Sequence, residues 1–133
     1  MDAEPWCHIL VVDGNAQLCE HARAALAASG YTVVCARNAR DALRLASVRM
    51  PELLLTAVTL ADSSGLDLAS RLREVSPSMA VVYMSTASDA VQVGGALDAR
   101  SGSLWKPFVP ARLVEAIDAL VGPRFGRVAA GGQ

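Results

Sequence analysis

The stretch Cys7-His8-Ile9-Leu10-Val11-Val12 is a nearly continuous apolar run that ends at Asp13 and Gly14. A short run of aliphatic and β-branched residues is typical of a parallel strand buried on both faces. The polar residue and the glycine that follow indicate that the strand ends there and the chain turns. We therefore predict a strand over this stretch, and the rest of the fold follows from segments that repeat its pattern.

Four further strand candidates follow, separated by longer segments in which apolar residues recur every three to four positions. The candidates are Tyr31 to Ala36, Leu53 to Val58, Met79 to Met84 and Ser103 to Trp105. The intervening periodicity is typical of helices that cover a sheet. Because crossover connections between parallel strands are right-handed, this alternation predicts a parallel sheet with helices on both faces.

Local signals mark the ends of the helices. Asn15 and Asn38 are the predicted N-caps of the first two helices, and Pro110 is the predicted first residue of the last. The third helix is predicted from Ser64 to about Val75. The fourth, within residues 88–97, is predicted to be short or frayed because it contains paired glycines and two valines. The apolar stripe of the first helix consists of Leu18, Ala22, Ala25 and Leu26.

Five strands and five helices in this alternation predict an α/β fold of three layers, α/β/α. The expected strand order is 2-1-3-4-5, the doubly wound, flavodoxin-like arrangement. We place this domain at residues 6–122 and a flexible tail at residues 123–133, which are rich in glycine and small residues. Ligands of such sheets bind at the carboxyl ends of the strands, so the chemistry is expected there.

Composition argues against several function classes. The 133-residue chain is 53% hydrophobic and has a net charge of -1 with dispersed arginines, which gives no support for binding nucleic acid. No apolar stretch approaches the roughly 18 to 20 residues that cross a bilayer, and no secretory signal is apparent, so a cytoplasmic protein is expected. Cys7, Cys19 and Cys35 form no CxxC pair and are expected to be ordinary thiols.

Polar or small residues follow the predicted strands in a defined order. In this order and spacing the chain resembles the receiver domain of two-component response regulators over about residues 7–121. The segments that carry the resemblance are Ile9-Leu10-Val11-Val12-Asp13, Gly30-Tyr31-Thr32-Val33, Asn38-Ala39-Arg40-Asp41-Ala42-Leu43, Pro51-Glu52-Leu53-Leu54-Leu55, Gly65-Leu66-Asp67-Leu68 and Lys106-Pro107-Phe108.

The resemblance implies that Ala57 occupies the position of the family's phosphate-accepting aspartate, six residues after Pro51. A methyl group can neither attack phosphorus nor bind Mg²⁺. Of the two adjacent acidic residues with which the family holds Mg²⁺, Asp13 matches the first and Gly14 replaces the second. Since one carboxylate remains, we expect no metal, no cofactor and no catalytic residue.

The resemblance assigns two more residues to the same site. Ser85 matches the hydroxyl that contacts the phosphoryl group, and Lys106 matches the lysine that pairs with it. Asp13, Ser85 and Lys106 are thus a remnant site in which Asp13 either pairs with Lys106 or caps the first helix. The Lys106-Pro107 peptide is expected to be cis, as in the family.

A possible interface lies on the last strand. Ser103 replaces the family's aromatic residue that reports phosphorylation, and Trp105 follows on the same side of the strand, toward Val91 and Val93 of the fourth helix. These four residues could form an apolar contact surface. Alternatively, Trp105 fills core space left by Ser103.

Three functions remain open. The first is a receiver that works without phosphorylation as an adaptor, and that binds a histidine kinase, another signalling protein or a second copy of itself. The second is a sensor that binds a small anion or metabolite at Asp13, Ser85 and Lys106. In the third, Thr56, Thr59 or Asp62 accepts phosphate instead of Ala57.

Overall fold

The computed structural model describes residues 7–122, so residue 6 and the predicted tail at 123–133 lie outside the described part. The elements in chain order are β1 (His8–Val12), α1 (Ala16–Ala28), β2 (Thr32–Ala36), α2 (Ala39–Val48), β3 (Leu53–Ala57), α3 (Gly65–Val75), β4 (Ala80–Ser85), α4 (Ala90–Ala96), β5 (Ser101–Trp105) and α5 (Pro110–Val121). A single 3-10 turn at Ala87–Asp89 leads into α4. Every predicted strand and helix is present, with ends displaced by one to two residues in most cases.

The five strands form one parallel sheet in the order β2-β1-β3-β4-β5. This confirms the predicted flavodoxin-like α/β fold. The two faces of the sheet carry separate cores, because neighbouring residues of a strand point to opposite sides. Leu10 and Val12 of β1 pack with α2 and α3, whereas Ile9 and Val11 pack with α1 and α5. The helices thus lie on both faces, in three layers.

Side-chain caps begin the first three helices. Asn15 accepts hydrogen bonds from the backbone N–H groups at the start of α1, and Asn38 does the same for α2. Ser64 lies just outside α3 and caps it by accepting from the N–H of Asp67, at 3.0 Å. Pro110 is the first residue of α5. The capping predictions at Asn15 and Asn38 are confirmed, and so is the start of α5.

The core contact of α1 differs from the predicted stripe. Ala22 and Leu26 are buried as expected, but Leu18 and Ala25 are only partly buried, and Cys19 is buried in their place. The helix is rotated so that this thiol faces β2. Cysteine behaves as a small hydrophobic residue in such positions.

The helix α4 has only seven residues, which confirms the expectation of a short fourth helix. None of the helices in residues 7–122 is long and apolar enough to span a bilayer.

Candidate functional site

Four of the predicted site residues meet at the carboxyl edge of the sheet. Asp13 directly follows β1, Ala57 ends β3, Ser85 ends β4 and Lys106 directly follows β5. Ser85 was expected just after its strand, and it is instead the last residue of that strand.

The strand register explains why these residues are neighbours. Val12 pairs with Thr56, so the next residues along are Asp13, which follows β1, and Ala57, which ends the adjacent strand β3. Ser85 pairs with Trp105, the residue before the lysine. The site expected from the sequence order is therefore assembled by the sheet.

Asp13 and Lys106 form an ion pair, with Nζ 2.6 Å from Oδ2. The Asp13 side chain is 5% exposed and that of Lys106 is 23% exposed, so water screens this pair weakly. Oδ1 accepts a hydrogen bond of 2.8 Å from the backbone N–H of Asn15, which itself caps α1. Oδ2 accepts no hydrogen bond of regular geometry within residues 7–122, so its contact with the ammonium is electrostatic. Of the two expected roles, the ion pair is observed, and Asp13 supports the cap of α1 only through Asn15.

The chain beyond β5 is fixed so that the lysine can reach this carboxylate. The backbone N–H of Lys106 donates to the carbonyl oxygen of Ser85 at 2.9 Å. The Lys106-Pro107 peptide is cis, as predicted. Since β3 and β4 lie between β5 and β1 in the sheet, the lysine side chain extends past the ends of both strands to meet Asp13.

Neither Ala57 nor Gly14 contributes a polar side chain to the site. Ala57 is buried, and its carbonyl oxygen accepts a hydrogen bond of 2.8 Å from the Thr56 hydroxyl. Gly14 is exposed, and a β-carbon there would meet only the carbonyl oxygen of Arg37, at 4.0 Å. The position of Gly14 therefore has room for a side chain, and what it lacks is a charge.

These residues do not fit the Mg²⁺ ion that the resemblance implies. A hard divalent ion is usually held by more than one charged oxygen. The site offers one buried carboxylate, whose Oδ2 already faces an ammonium group at 2.6 Å. A group of three or more His, Cys, Asp or Glu side chains suited to a metal is also missing from the described residues.

The three alternative phosphate acceptors are not equivalent. Thr56 is fully buried and its hydroxyl is engaged with the neighbouring carbonyl. Thr59 is exposed and forms an isolated β-bridge with Ser64. Asp62 is also exposed, but its carboxylate accepts the N–H groups of Ala39 and Arg40 at 2.9 and 3.0 Å. These backbone hydrogen bonds lower the pKa of Asp62 below its ordinary value.

Asp62 has a structural role that the sequence reasoning missed. Its carboxylate binds at the positive end of α2, where negative charge is favourable. The contact joins the loop after β3 to a helix more than twenty residues away. An aspartate in a loop is compatible with simple solvation, so the sequence contained no signal for this contact.

The candidate interface is only partly as predicted. Trp105 is 58% exposed and Ser103 is exposed, so the tryptophan does not fill the core. Val91 is 90% exposed, whereas Val93 is 3% exposed and packs in the core beneath α4. Including Val93 in the surface was wrong, because residues two apart on a helix point in different directions. Of the predicted residues, Ser103 and Trp105 line a surface groove, and its other lining residues include Phe108, Val109 and Arg112.

The family profile and the related sequences that match this chain indicate the response regulator family. Residues 9–118 match the profile of the response regulator receiver domain. The chain is 31% identical over 115 residues to the probable transcriptional regulatory protein TcrX of Mycobacterium tuberculosis, a match that covers 85% of this chain and 49% of the relative. It is 33% identical over 116 residues to the response regulator MprA of Mycolicibacterium vanbaalenii, with the same coverage. The chain thus spans about half the length of these curated relatives.

Solved structures show the same fold. A response regulator receiver domain protein from Clostridium thermocellum aligns with a TM-score of 0.80 at 21% identity, over 89% of this chain and 96% of that one. The chemotaxis response regulator CheY4 of Vibrio cholerae aligns with a TM-score of 0.77 at 22% identity, over 86% and 98%. With the profile match over most of its length, the chain belongs to the response regulator receiver domain family of two-component signalling.

Proposed function

We propose that this receiver acts without phosphorylation, as a protein-binding adaptor in two-component-type signalling. The observation that carries the proposal is that the site at the edge of the sheet has no acceptor carboxylate and that its one aspartate is paired with a lysine. Ala57 ends β3 where a nucleophile is needed, and the charge of the neighbouring Asp13 is already balanced by Lys106 at 2.6 Å.

Each requirement of phosphoryl transfer is unmet at this site. An acceptor carboxylate, a metal ion and a free cation are the parts that place and neutralise a transferred phosphoryl group. Ala57 replaces the first, Gly14 removes a ligand of the second, and the ammonium of Lys106 is paired. Without a phosphoryl group to bind two conformations differently, phosphorylation cannot shift their populations.

Protein binding is the remaining role typical of the family, whose members interact with histidine kinases. The groove beside Trp105 supports such a role here because it combines exposed aromatic and aliphatic surface with the guanidinium of Arg112. Tryptophan and arginine are enriched in binding hot spots. We infer that a histidine kinase, another cytoplasmic signalling protein or a second copy of the chain binds there, and that nucleic acid and membranes do not.

The two alternative functions receive less support. A sensor would have to bind its anion at Ser85 and Lys106, but Ser85 is buried and the lysine is paired with Asp13. Phosphorylation at another residue would depend on Thr56, which is inaccessible, on Asp62, which is bound to the start of α2, or on Thr59. Within residues 7–122, none of these three belongs to a group of three or more His, Cys, Asp or Glu side chains suited to a metal.

The decisive experiment is incubation with acetyl phosphate and Mg²⁺, followed by intact-mass measurement under mild conditions. We expect no phosphoryl adduct, while a receiver domain with an acceptor aspartate becomes modified in parallel. An acid-labile, stoichiometric adduct on this chain would contradict the proposal. Pull-down of histidine kinases with and without the phosphodonor tests the adaptor role, and we expect the captured amount to be unchanged by phosphodonor.

A further inference from the structure

Two cysteine thiols lie together where α1 packs on β2. The Cys35 thiol donates to the carbonyl oxygen of Cys19 at 3.5 Å. The Cys19 thiol contacts the carbonyl oxygen of Ala36, the residue after Cys35, at 3.9 Å. It also donates to the carbonyl oxygen of Asp13 at 3.2 Å. Each sulfur therefore lies against the backbone at or next to the other cysteine.

The two thiols differ in access and in acidity. Cys19 is buried, whereas Cys35 is only partly buried. The neighbouring Cys19 thiol is the main reason why the pKa of Cys35 is lowered, and the positive charge of Arg23 lowers it further. The neighbouring Cys35 thiol, together with burial, raises the pKa of Cys19. Since the thiolate is the reactive form, Cys35 is expected to react with an oxidant faster than Cys19.

We propose that Cys35 and Cys19 are a peroxide-sensitive pair in which Cys35 is oxidised and Cys19 closes a disulfide between β2 and α1. The proposal concerns a modification site and does not depend on how the receiver transmits its signal. In a cytosolic protein, such a disulfide would be transient and of the redox-sensing kind.

The reaction takes place in two steps. The thiolate of Cys35 attacks one oxygen of hydrogen peroxide, the O–O bond breaks and hydroxide leaves, so that the sulfur becomes a sulfenic acid. The sulfur of Cys19 then attacks that of Cys35, an S–S bond forms, the S–O bond breaks, and the departing hydroxide takes the Cys19 proton to become water. In total, two thiols and one peroxide give one disulfide and two waters.

The disulfide would act on the site at the sheet edge through one contact. Cys19 would lose the S–H group that it donates to the carbonyl of Asp13, the residue paired with Lys106. It would also link α1 covalently to β2. Oxidation is therefore expected to change the thermal midpoint of the protein.

The test is treatment of the full chain with hydrogen peroxide, followed by intact-mass measurement and mapping of alkylated peptides. We expect the loss of two hydrogens, a cross-linked pair of peptides that contain Cys19 and Cys35, and a Cys7 that is not oxidised. Cys7 is the internal control because it is buried and contributes to no thiol pair in the proposal. Oxidation of Cys35 no faster than that of Cys7, or a disulfide that joins any other pair, would overturn the proposal.

Single variants separate the two roles. In Cys19→Ser, Cys35 should stop at the sulfenic acid and be trapped by dimedone, whereas Cys7→Ser should still form the disulfide. In Cys35→Ser, Cys19 should be no more reactive than Cys7. A Cys35→Ser chain whose Cys19 still oxidises quickly would reverse the assigned roles and contradict the mechanism. If a serine variant fails to fold, the mapping of the unmodified sequence still decides the result.

Discussion

A β-carbon on Gly65 would lie 2.1 Å from the carbonyl oxygen of Ala57. The backbone N–H of Gly65 also donates to the carbonyl oxygen of Val58 at 2.7 Å. The first residue of α3 is thus in direct contact with the backbone at the end of β3, and only glycine fits there without moving one of the two elements.

Gly65→Ala is therefore expected to destabilise the protein by about 3 kcal/mol, the upper part of the range for overpacking a close contact. Urea unfolding followed by circular dichroism measures the change. The control is Gly95→Ala in α4, where an added β-carbon meets nothing within 4 Å. It should stabilise the protein by about 0.5–1 kcal/mol, because alanine favours a helix over glycine. Equal effects of the two substitutions would refute this account of α3.

Lys106→Met removes the counter-charge of a buried carboxylate. We expect a loss of about 2 kcal/mol in the free energy of unfolding, less than for a fully buried pair because the lysine is partly exposed. Asp13→Asn in the same background should recover part of the loss, since no uncompensated charge remains. Additive effects in this double-mutant cycle would show that the two groups do not interact.

Asp62→Asn tests the contact between the β3–α3 loop and α2. Because the pKa of Asp62 is lowered in the folded protein, its carboxylate stabilises the fold above its ordinary pKa of 3.8. That contribution is lost as pH falls through the lower, folded-state pKa. The variant should therefore have a lower urea midpoint than the wild type at neutral pH, and the difference should disappear in acid. Glu74→Gln, on the exposed side of α3, is the control, and a pH-independent difference for Asp62→Asn would count against the charge interaction.

Ala57→Asp alone should not restore efficient phosphorylation by acetyl phosphate, because Gly14 still supplies no second metal ligand. Gly14→Asp combined with Ala57→Asp should give a Mg²⁺-dependent adduct in intact-mass spectra, since position 14 has room for the side chain. An adduct on the single variant as abundant as on the double variant would show that Gly14 is not the limiting change.

Trp105→Ala should abolish partner binding or self-association while it changes the free energy of unfolding by less than about 0.5 kcal/mol, as expected of an exposed side chain. Light scattering and kinase pull-down measure association. Val75→Ala removes an apolar side chain on α3 that is more exposed than Trp105, at 73% against 58%, and should leave association unchanged. Association that survives in Trp105→Ala would remove the groove from the proposed interface.

The fold could be predicted because its signals are local. The buried run of β1, the caps Asn15 and Asn38 and the proline that opens α5 each act within a few residues. The parallel sheet then brings the strand ends to one edge. Because β3 and β4 separate β1 from β5, the pairing of Asp13 with Lys106 was implied by the resemblance to receiver domains and not by strand order alone.

The remaining features depend on packing between distant segments. The rotation that buries Cys19 beside Cys35 is decided by how α1 lies on β2. The hydrogen bonds from the start of α2 to the Asp62 carboxylate form only when the loop after β3 lies against that helix. The burial of Val93, unlike these contacts, could have been predicted from the sequence. Residues two apart on a helix do not share a face, so Val91 and Val93 should not have been assigned to one surface.

The ion pair of Asp13 and Lys106 also bears on how a cell would control such a protein. The Asp13 carboxylate and the Lys106 ammonium, 2.6 Å apart, balance each other's charge in the folded chain. If the receiver works in this state, as we propose, the strength of its signal depends on its concentration in the cell. Transcription, degradation and competition among its partners would then set the strength and duration of the response.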